Sequence, residues 1–310
     1  TKGYCTDVYF DAALDFIDAS QEAQRPFFVY LPTNAPHGPY HDVPEALYQK
    51  YRGRDLSPIM DPSDENQDRL ARILAMIENI DQNVARLEER LERRGLKDDT
   101  LVVFLVDNGP NTRRFVGPYR GMKSEVFEGG IRSPLLLRWP NGLARGVREG
   151  AAAAHIDLFP TILELCGVSR SGAAPLDGLS LAAPLRDPEA AVPERSIIIQ
   201  AHRGDAPVAR HNAAVIQGDW KMVFPTGFGR ERPAETSDGE LYHLGRDPGE
   251  RNDRAARDPD VVQRLSKAYD QWFASIQASR DFHSGPPEIL LGSPEEVETV
   301  LTRQDWRVRL

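Results

Sequence analysis

The sequence predicts an α/β protein: a mostly parallel sheet sandwiched by helices, with a small antiparallel sheet and a packing helix at its C-terminal end. Three observations predict it. Leu101–Val106 is a run of six apolar residues, too continuous for a half-exposed strand, and reads as a central strand covered on both faces. Phe27–Leu31 is a second run of the same kind. Between them, residues 63–95 carry Leu70, Ile73, Leu74, Ile77, Ile80, Val84, Leu87 and Leu91 at helical spacing, which suits a right-handed crossover helix feeding a parallel strand.

Taken in order, the first helix follows Asp7 as N-cap, with Val8, Ala12, Phe16 and Ala19 as its apolar stripe. The long helix opens at Ser63-Asp64-Glu65-Asn66 and closes at Arg93-Arg94-Gly95, with cations in its last turn and a glycine cap. Glu128-Gly129-Gly130 opens a strand over 134–138, and Asp157 starts a helix over Leu158–Leu165, where Pro160 is tolerated in the first turn. A further buried strand spans 196–200. From about residue 190 the texture changes. Residues 212–217 and 220–224 form a hairpin around Gly218-Asp219, residues 240–244 add a short strand, and Val261, Leu265, Tyr269, Trp272 and Ile276 mark an amphipathic helix. The expected division is a partial α/β portion over 1–190 and a C-terminal subdomain over 191–310.

The formal charge of −9 argues against a general nucleic-acid binder, since a polyanion partner needs a basic face. A few local cations remain enough for an anionic small substrate. No apolar run reaches the ~18 residues of a membrane span, and Cys5 and Cys166 make no disulfide framework. Both ends read as cut: the chain enters a helix with no preceding strand and stops without a terminating pattern, so a missing beginning is expected. The compartment is left open.

The chemistry-bearing residues gather at strand ends. Leu101–Val106 stops on Asp107-Asn108-Gly109-Pro110, which puts a carboxylate and an amide where open α/β sheets hold ligands. Both offer hard oxygens of the kind Ca²⁺ or Mg²⁺ prefers; the alternative is that they only cap a turn. His37 lies past the end of Phe27–Leu31 and is either functional or a loop histidine bonded to backbone. Pro39 stands between His37 and His41, which spoils a helical metal pair. Lys123 is one of six lysines among 38 basic residues, retained where arginine surrounds it. Arg113 and Arg114 would line a site for an anionic substrate or stand as exposed loop charges. Glu128 either orients its neighbours or touches substrate. His202 and His211 flank a loop and either reach a substrate pocket or stay near the surface.

The ordered set of Ala35-Pro36-His37, Asp107-Asn108-Gly109, Arg120-Gly121-Met122-Lys123, Glu128-Gly129-Gly130, Asp157-Leu158-Phe159-Pro160-Thr161, Leu176-Asp177-Gly178 and Glu240-Leu241-Tyr242 resembles the sulfatase family of the alkaline-phosphatase superfamily over roughly residues 1 to 275. The resemblance implies hydrolysis of aryl or carbohydrate sulfate esters. A formylglycine hydrate attacks sulfur, Ca²⁺ binds sulfate oxygens, and lysine and histidine stabilise charge and protonate the leaving oxygen. It casts His37 and Lys123 as catalytic and Asp107 and Asn108 as metal ligands, and for the family it allows a periplasmic or secreted compartment without fixing one. The nucleophile is expected in the missing N-terminal part of the same protein. Cys166-Gly167-Val168-Ser169-Arg170 nearly spells the activation pattern Cys-x-Pro/Ala-x-Arg, but Val168 occupies the Pro/Ala position and the segment ends a helix. Two alternatives remain, a phosphodiester or phosphonate monoester hydrolase of the same superfamily and a non-catalytic binding module.

Overall fold

The computed structural model describes residues 2–146, 152–170, 172, 175–202, 207–227 and 237–279. Much of the expected C-terminal subdomain's tail lies outside the described residues. Three helices come first, α1 (Cys5–Glu22), α2 (Glu45–Arg52) and α3 (Gln67–Arg93). The long helix starts later than Ser63 because Asp61 Oδ1 accepts the Ser63 amide at 2.9 Å and holds a turn there. Asn66 is the N-cap instead, its side chain accepting the Arg69 amide at 2.8 Å. Gly95 closes the other end at φ +66°, a left-handed position that glycine takes without cost.

The buried face of α1 is Thr6, Phe10, Leu14, Ile17 and Ser20, not the expected stripe, and Phe16 is exposed. Asp7 is not the N-cap either: it lies inside the first turn and accepts Asn79 Nδ2 at 2.8 Å and Asn83 Nδ2 at 2.7 Å from α3. Polar pairing with α3 turns the helix away from the face that apolar counting selects. On α3, Leu70, Ile73 and Leu91 are buried as expected, whereas Ile77 is exposed and Asn79 and Asn83 take core positions. Leu70, Ala71, Ala75 and Met76 pack with Ala35, Val43, Tyr48 and Leu56 into the core beneath α2.

β1 (Val102–Leu105) follows, then α4 (Glu128–Ile131) and β2 (Leu135–Arg138). No parallel neighbour of β1 is present among the described residues. β1 pairs with β2 antiparallel, Val102 opposite Arg138 and Leu105 opposite Leu135, in a two-stranded sheet. Residues 25–34 are assigned to no strand, and Phe28 and Tyr30 stand 72% and 78% exposed. An apolar run becomes a strand only when another strand lies alongside to take its backbone hydrogen bonds, and none of the described residues does so. Leu105 and Leu136 are likewise exposed rather than covered. Glu128-Gly129-Gly130 also differs from expectation, forming a single helical turn in place of a strand opening.

α5 (Leu158–Leu165) and α6 (Ala182–Arg186) lead to β3 (Ile197–Gln200), β4 (Ala213–Gln217), β5 (Trp220–Phe224) and β6 (Glu240–His243). These four make one antiparallel sheet in the order β3-β4-β5-β6. The 196–200 strand therefore belongs to the small sheet, and the Gly218-Asp219 hairpin forms as expected. α7 (Pro259–Ser279) covers one face, where Ala213, Val215, Met222, Phe224 and Leu241 meet Leu265 and Tyr269. Side chains alternate along a strand, so Ala214, Val223 and Tyr242 point to the opposite face and pack on Val126 and Phe127. Among the described residues, no helix is long and apolar enough to cross a membrane.

Candidate active site

The turn after β1 carries Asp107, exposed, and Asn108, half-buried. Asn108 Nδ2 donates to the Gly109 carbonyl at 2.9 Å, which spends the amide nitrogen locally and leaves the side-chain oxygen for another partner. The turn is strapped to α4, because the Gly109 amide donates to the Gly130 carbonyl at 2.8 Å. This approach needs glycine: a Cβ at Gly109 would overlap the Gly129 carbonyl oxygen.

Lys123 is half-buried and sits on the loop that returns toward that turn, its amide donating to the Pro110 carbonyl at 2.8 Å. The Gly129 amide donates to the Arg120 carbonyl at 2.6 Å and closes the loop at its base. Asn212 Nδ2 donates both to the Ser124 carbonyl at 3.0 Å and to the Ala201 carbonyl at 2.9 Å. The segments bearing Lys123 and His202 are thus joined through one buried amide, with His202 half-buried. His211, expected near the surface, is fully buried, and the Gln200 amide nitrogen donates to its carbonyl at 3.1 Å.

His37 is exposed, and its Nδ1 donates to the Gly38 carbonyl at 2.7 Å, so the neutral ring presents Nε2 as an acceptor. The loop that carries it is fixed by Ala35 and Tyr40, which pack against the α2–α3 core. No hydrogen bond or ion pair among the described residues joins His37 to Asp107 or Lys123.

Arg113 and Arg114 part company. The Arg113 backbone bonds Asp64 Oδ2 at 2.7 Å and the Asp61 amide at 3.2 Å while the residue stays exposed. Arg114 is not an exposed loop charge: its guanidinium lies 3.1 Å from the buried Glu65 carboxylate and donates to Thr112 Oγ1 at 2.6 Å. Burial lowers the Arg114 pKa against the opposing pull of Glu65. Burial likewise pushes the Glu65 carboxyl up, but Thr112, Arg69 and the Asn66 amide outweigh it and hold it below its ordinary value. Asp157 is similar: burial raises its pKa, yet Arg195 and the Ala154 and Leu179 amides bring it below the usual range. Cys166 is exposed and caps α5, with Gly167 at φ +64° after it, as a helix end requires.

Sequence reasoning missed a buried charge cluster. Lys221 Nζ on β5 lies 2.8 Å from Glu128 Oε1 and 2.8 Å from Glu250 Oε1, with Lys221 and Glu250 wholly buried. The signal was present: a lysine within Trp220-Lys221-Met222-Val223-Phe224, in a chain with few lysines, is a charge in an otherwise apolar strand.

As a metal site, Asp107 and Asn108 offer two side chains with three hard oxygens between them, which fit part of the roughly six to eight that Ca²⁺ takes. Among the described residues, no three His, Cys, Asp or Glu side chains come together as a metal cage.

The profile of the sulfatase family matches residues 1–168. N-acetylgalactosamine-6-sulfatase of Canis lupus familiaris is 29% identical over 297 residues, covering 86% of this chain and 52% of that protein. Arylsulfatase A of Homo sapiens is 29% identical over 307 residues, covering 92% and 55%. The chain spans about half the length of the curated relatives it matches. The crystal structure of Ps i-CgsB in complex with k-i-k-neocarrahexaose superposes with a TM-score of 0.70 at 25% identity, over 88% of this chain and 55% of that one.

Proposed function

Because this chain belongs to the sulfatase family, matched over residues 1–168, we propose that it is the C-terminal portion of a sulfuric ester hydrolase acting on aryl or carbohydrate sulfate esters. The observation that carries the reading is the hydrogen bond from the Lys123 amide to Pro110, which holds the candidate lysine against the Asp107–Asn108 turn. The likeness to N-acetylgalactosamine-6-sulfatase and to a neocarrahexaose complex favours a carbohydrate sulfate.

In this reading Asp107 and Asn108 would hold one side of a Ca²⁺ site, where the ion would supply Lewis-acid stabilisation of charge on the sulfate oxygens. The Lys123 ammonium offsets negative charge on the sulfate as the ester bond breaks. His37, as an imidazolium whose Nδ1–H stays with Gly38, gives its Nε2 proton to the departing alcohol oxygen. The reaction consumes one water and yields the alcohol and hydrogen sulfate. The nucleophile, a formylglycine made from a cysteine in Cys-x-Pro/Ala-x-Arg, comes from the N-terminal part of the same protein.

The test expresses the full-length protein with a formylglycine-generating enzyme and assays nitrocatechol sulfate and nitrophenyl phosphate with Ca²⁺ present. Turnover of the sulfate ester is expected. Turnover of the phosphate ester alone, or of neither, overturns the reading.

A further inference from the structure

The loop that carries Lys123 is held at both of its ends by one residue in the segment that follows β6. Glu250 Oε2 accepts the Glu128 amide at 2.6 Å, and the Glu250 carbonyl accepts Arg120 Nη1 at 3.2 Å. Glu250 achieves this at φ +53°, a left-handed conformation that a non-glycine residue holds only when its surroundings fix it. From β5, Lys221 then binds the Glu128 and Glu250 carboxylates together at 2.8 Å each.

We propose that the Lys221–Glu128–Glu250 cluster is a positioning device that fixes the Lys123 loop to the C-terminal sheet. The proposal rests on the reading of Lys123 as the group that offsets charge on the sulfate as the ester bond breaks. Stability alone does not account for the cluster. Buried ion pairs repay their desolvation poorly, and apolar substitutes of similar volume often serve stability as well. Apolar packing is already present beside it, where Val126 and Phe127 meet Ala214, Val223 and Tyr242. Charges add direction: Glu128 Oε1 accepts from Lys221, Glu250 Oε2 accepts from the Glu128 amide, and Glu250 Oε1 is held by charge against Lys221, so the loop has a preferred register against the sheet. Burial raises the Glu250 pKa against Lys221, as for a carboxylate shut away from water. Asn212 adds a contact at Ser124, so the loop is held at its base and at its middle, with Lys123 between them.

The experiment compares the full-length protein with the charge-free variant Lys221→Met/Glu128→Gln/Glu250→Gln, and with Glu250→Gln and Glu250→Leu singly. Hydrogen–deuterium exchange of peptides over 118–130 and over α7 is measured beside kcat and KM for nitrocatechol sulfate. In the charge-free variant, exchange over 118–130 should rise at least tenfold with α7 unchanged, and kcat should fall at least tenfold with KM within twofold. Glu250→Gln keeps an acceptor for the Glu128 amide and should retain protection; Glu250→Leu should lose it. The single pair decides the matter where the triple variant does not fold. Unchanged exchange over 118–130, or an equal rise over 118–130 and α7, overturns the proposal. Exchange that responds as expected in a protein with no sulfate-ester turnover supports the clamp and sinks the sulfatase reading instead.

Discussion

The Lys123 amide donates to the Pro110 carbonyl at 2.8 Å, so the lysine and the Asp107–Asn108 turn share one backbone anchor while their side chains stay chemically distinct. In the full-length protein, Asp107→Ala should remove bound Ca²⁺ and abolish sulfate-ester turnover. Lys123→Ala should lower kcat by about 10²–10³-fold, the usual loss for one charge-stabilising group, with Ca²⁺ still bound. Calcium titration beside a colorimetric assay separates the two. Unimpaired Asp107→Ala would sink the metal assignment.

His37→Ala should lower kcat by about 10²–10⁴-fold, the range for a positioned general acid. The loss should shrink for substrates whose leaving alcohol is already acidic. Rates for a nitrophenyl sulfate and an alkyl sulfate test this, and equal losses on both would remove His37 from the proton-donor role.

Gly129→Ala should destabilise the protein by ~1–3 kcal/mol, since a Cβ there would lie 2.7 Å from the Arg120 carbonyl oxygen and closer still to that of Gly121. Backbone cannot swing aside as a side chain does. Urea melts of Gly129→Ala and Gly95→Ala, whose added carbon would meet nothing within 4 Å, distinguish crowding from conformational strain.

Arg114→Met should cost roughly 1.5–3 kcal/mol, the scale of hydrogen bonds to charged groups, because it strips a partner from the buried Glu65. It should leave KM unchanged, whereas a substrate-binding arginine would raise KM severalfold. Arg113→Ala, at an exposed position, should leave stability nearly unaltered.

Acid should weaken the α5 region through Asp157. Its folded pKa is depressed because Arg195 and two amides outweigh burial. A depressed carboxylate lends stability above its unfolded pKa of about 3.9, and that stability disappears as pH falls through the lower folded value. Melting temperature should therefore drop below about pH 4, and Asp157→Asn should melt lower at neutral pH with a flatter acid limb. A parallel acid limb in both proteins would contradict this.

What the sequence revealed followed from what each signal depends on. The Gly218-Asp219 hairpin, α5 and α7 were legible because turn chemistry and one amphipathic face determine them locally. The pairing of Leu101–Val106 was not, since a strand's neighbour is chosen by distant backbone; it lies antiparallel to Leu135–Arg138. The face of α1 was misread because Asp7 takes its partners from Asn79 and Asn83, 72 and 76 residues away. At the candidate site, Asp107, Asn108 and Lys123 were singled out by turn residues, a scarce lysine and the ordered motifs of the family resemblance taken together. Glu250 and Asn212 could not, because their importance is a matter of what they reach.

The reach of Glu250 also sets an order of events while the chain is being made. It emerges 122 residues after Glu128, which at ~5–20 residues per second is a delay of roughly 6–24 s. Through that interval the growing polypeptide carries residues 120–128 without Glu250, Lys221 arriving only partway. The loop that carries Lys123 is therefore completed only after helices α1 to α3 have had time to pack. Ribosome-arrested chains ending before residue 250 should be cut by protease within 120–128, and longer ones protected. Premature stop codons anywhere between would release a chain whose first helices are sound and whose 120–128 loop lacks its Glu250 anchor.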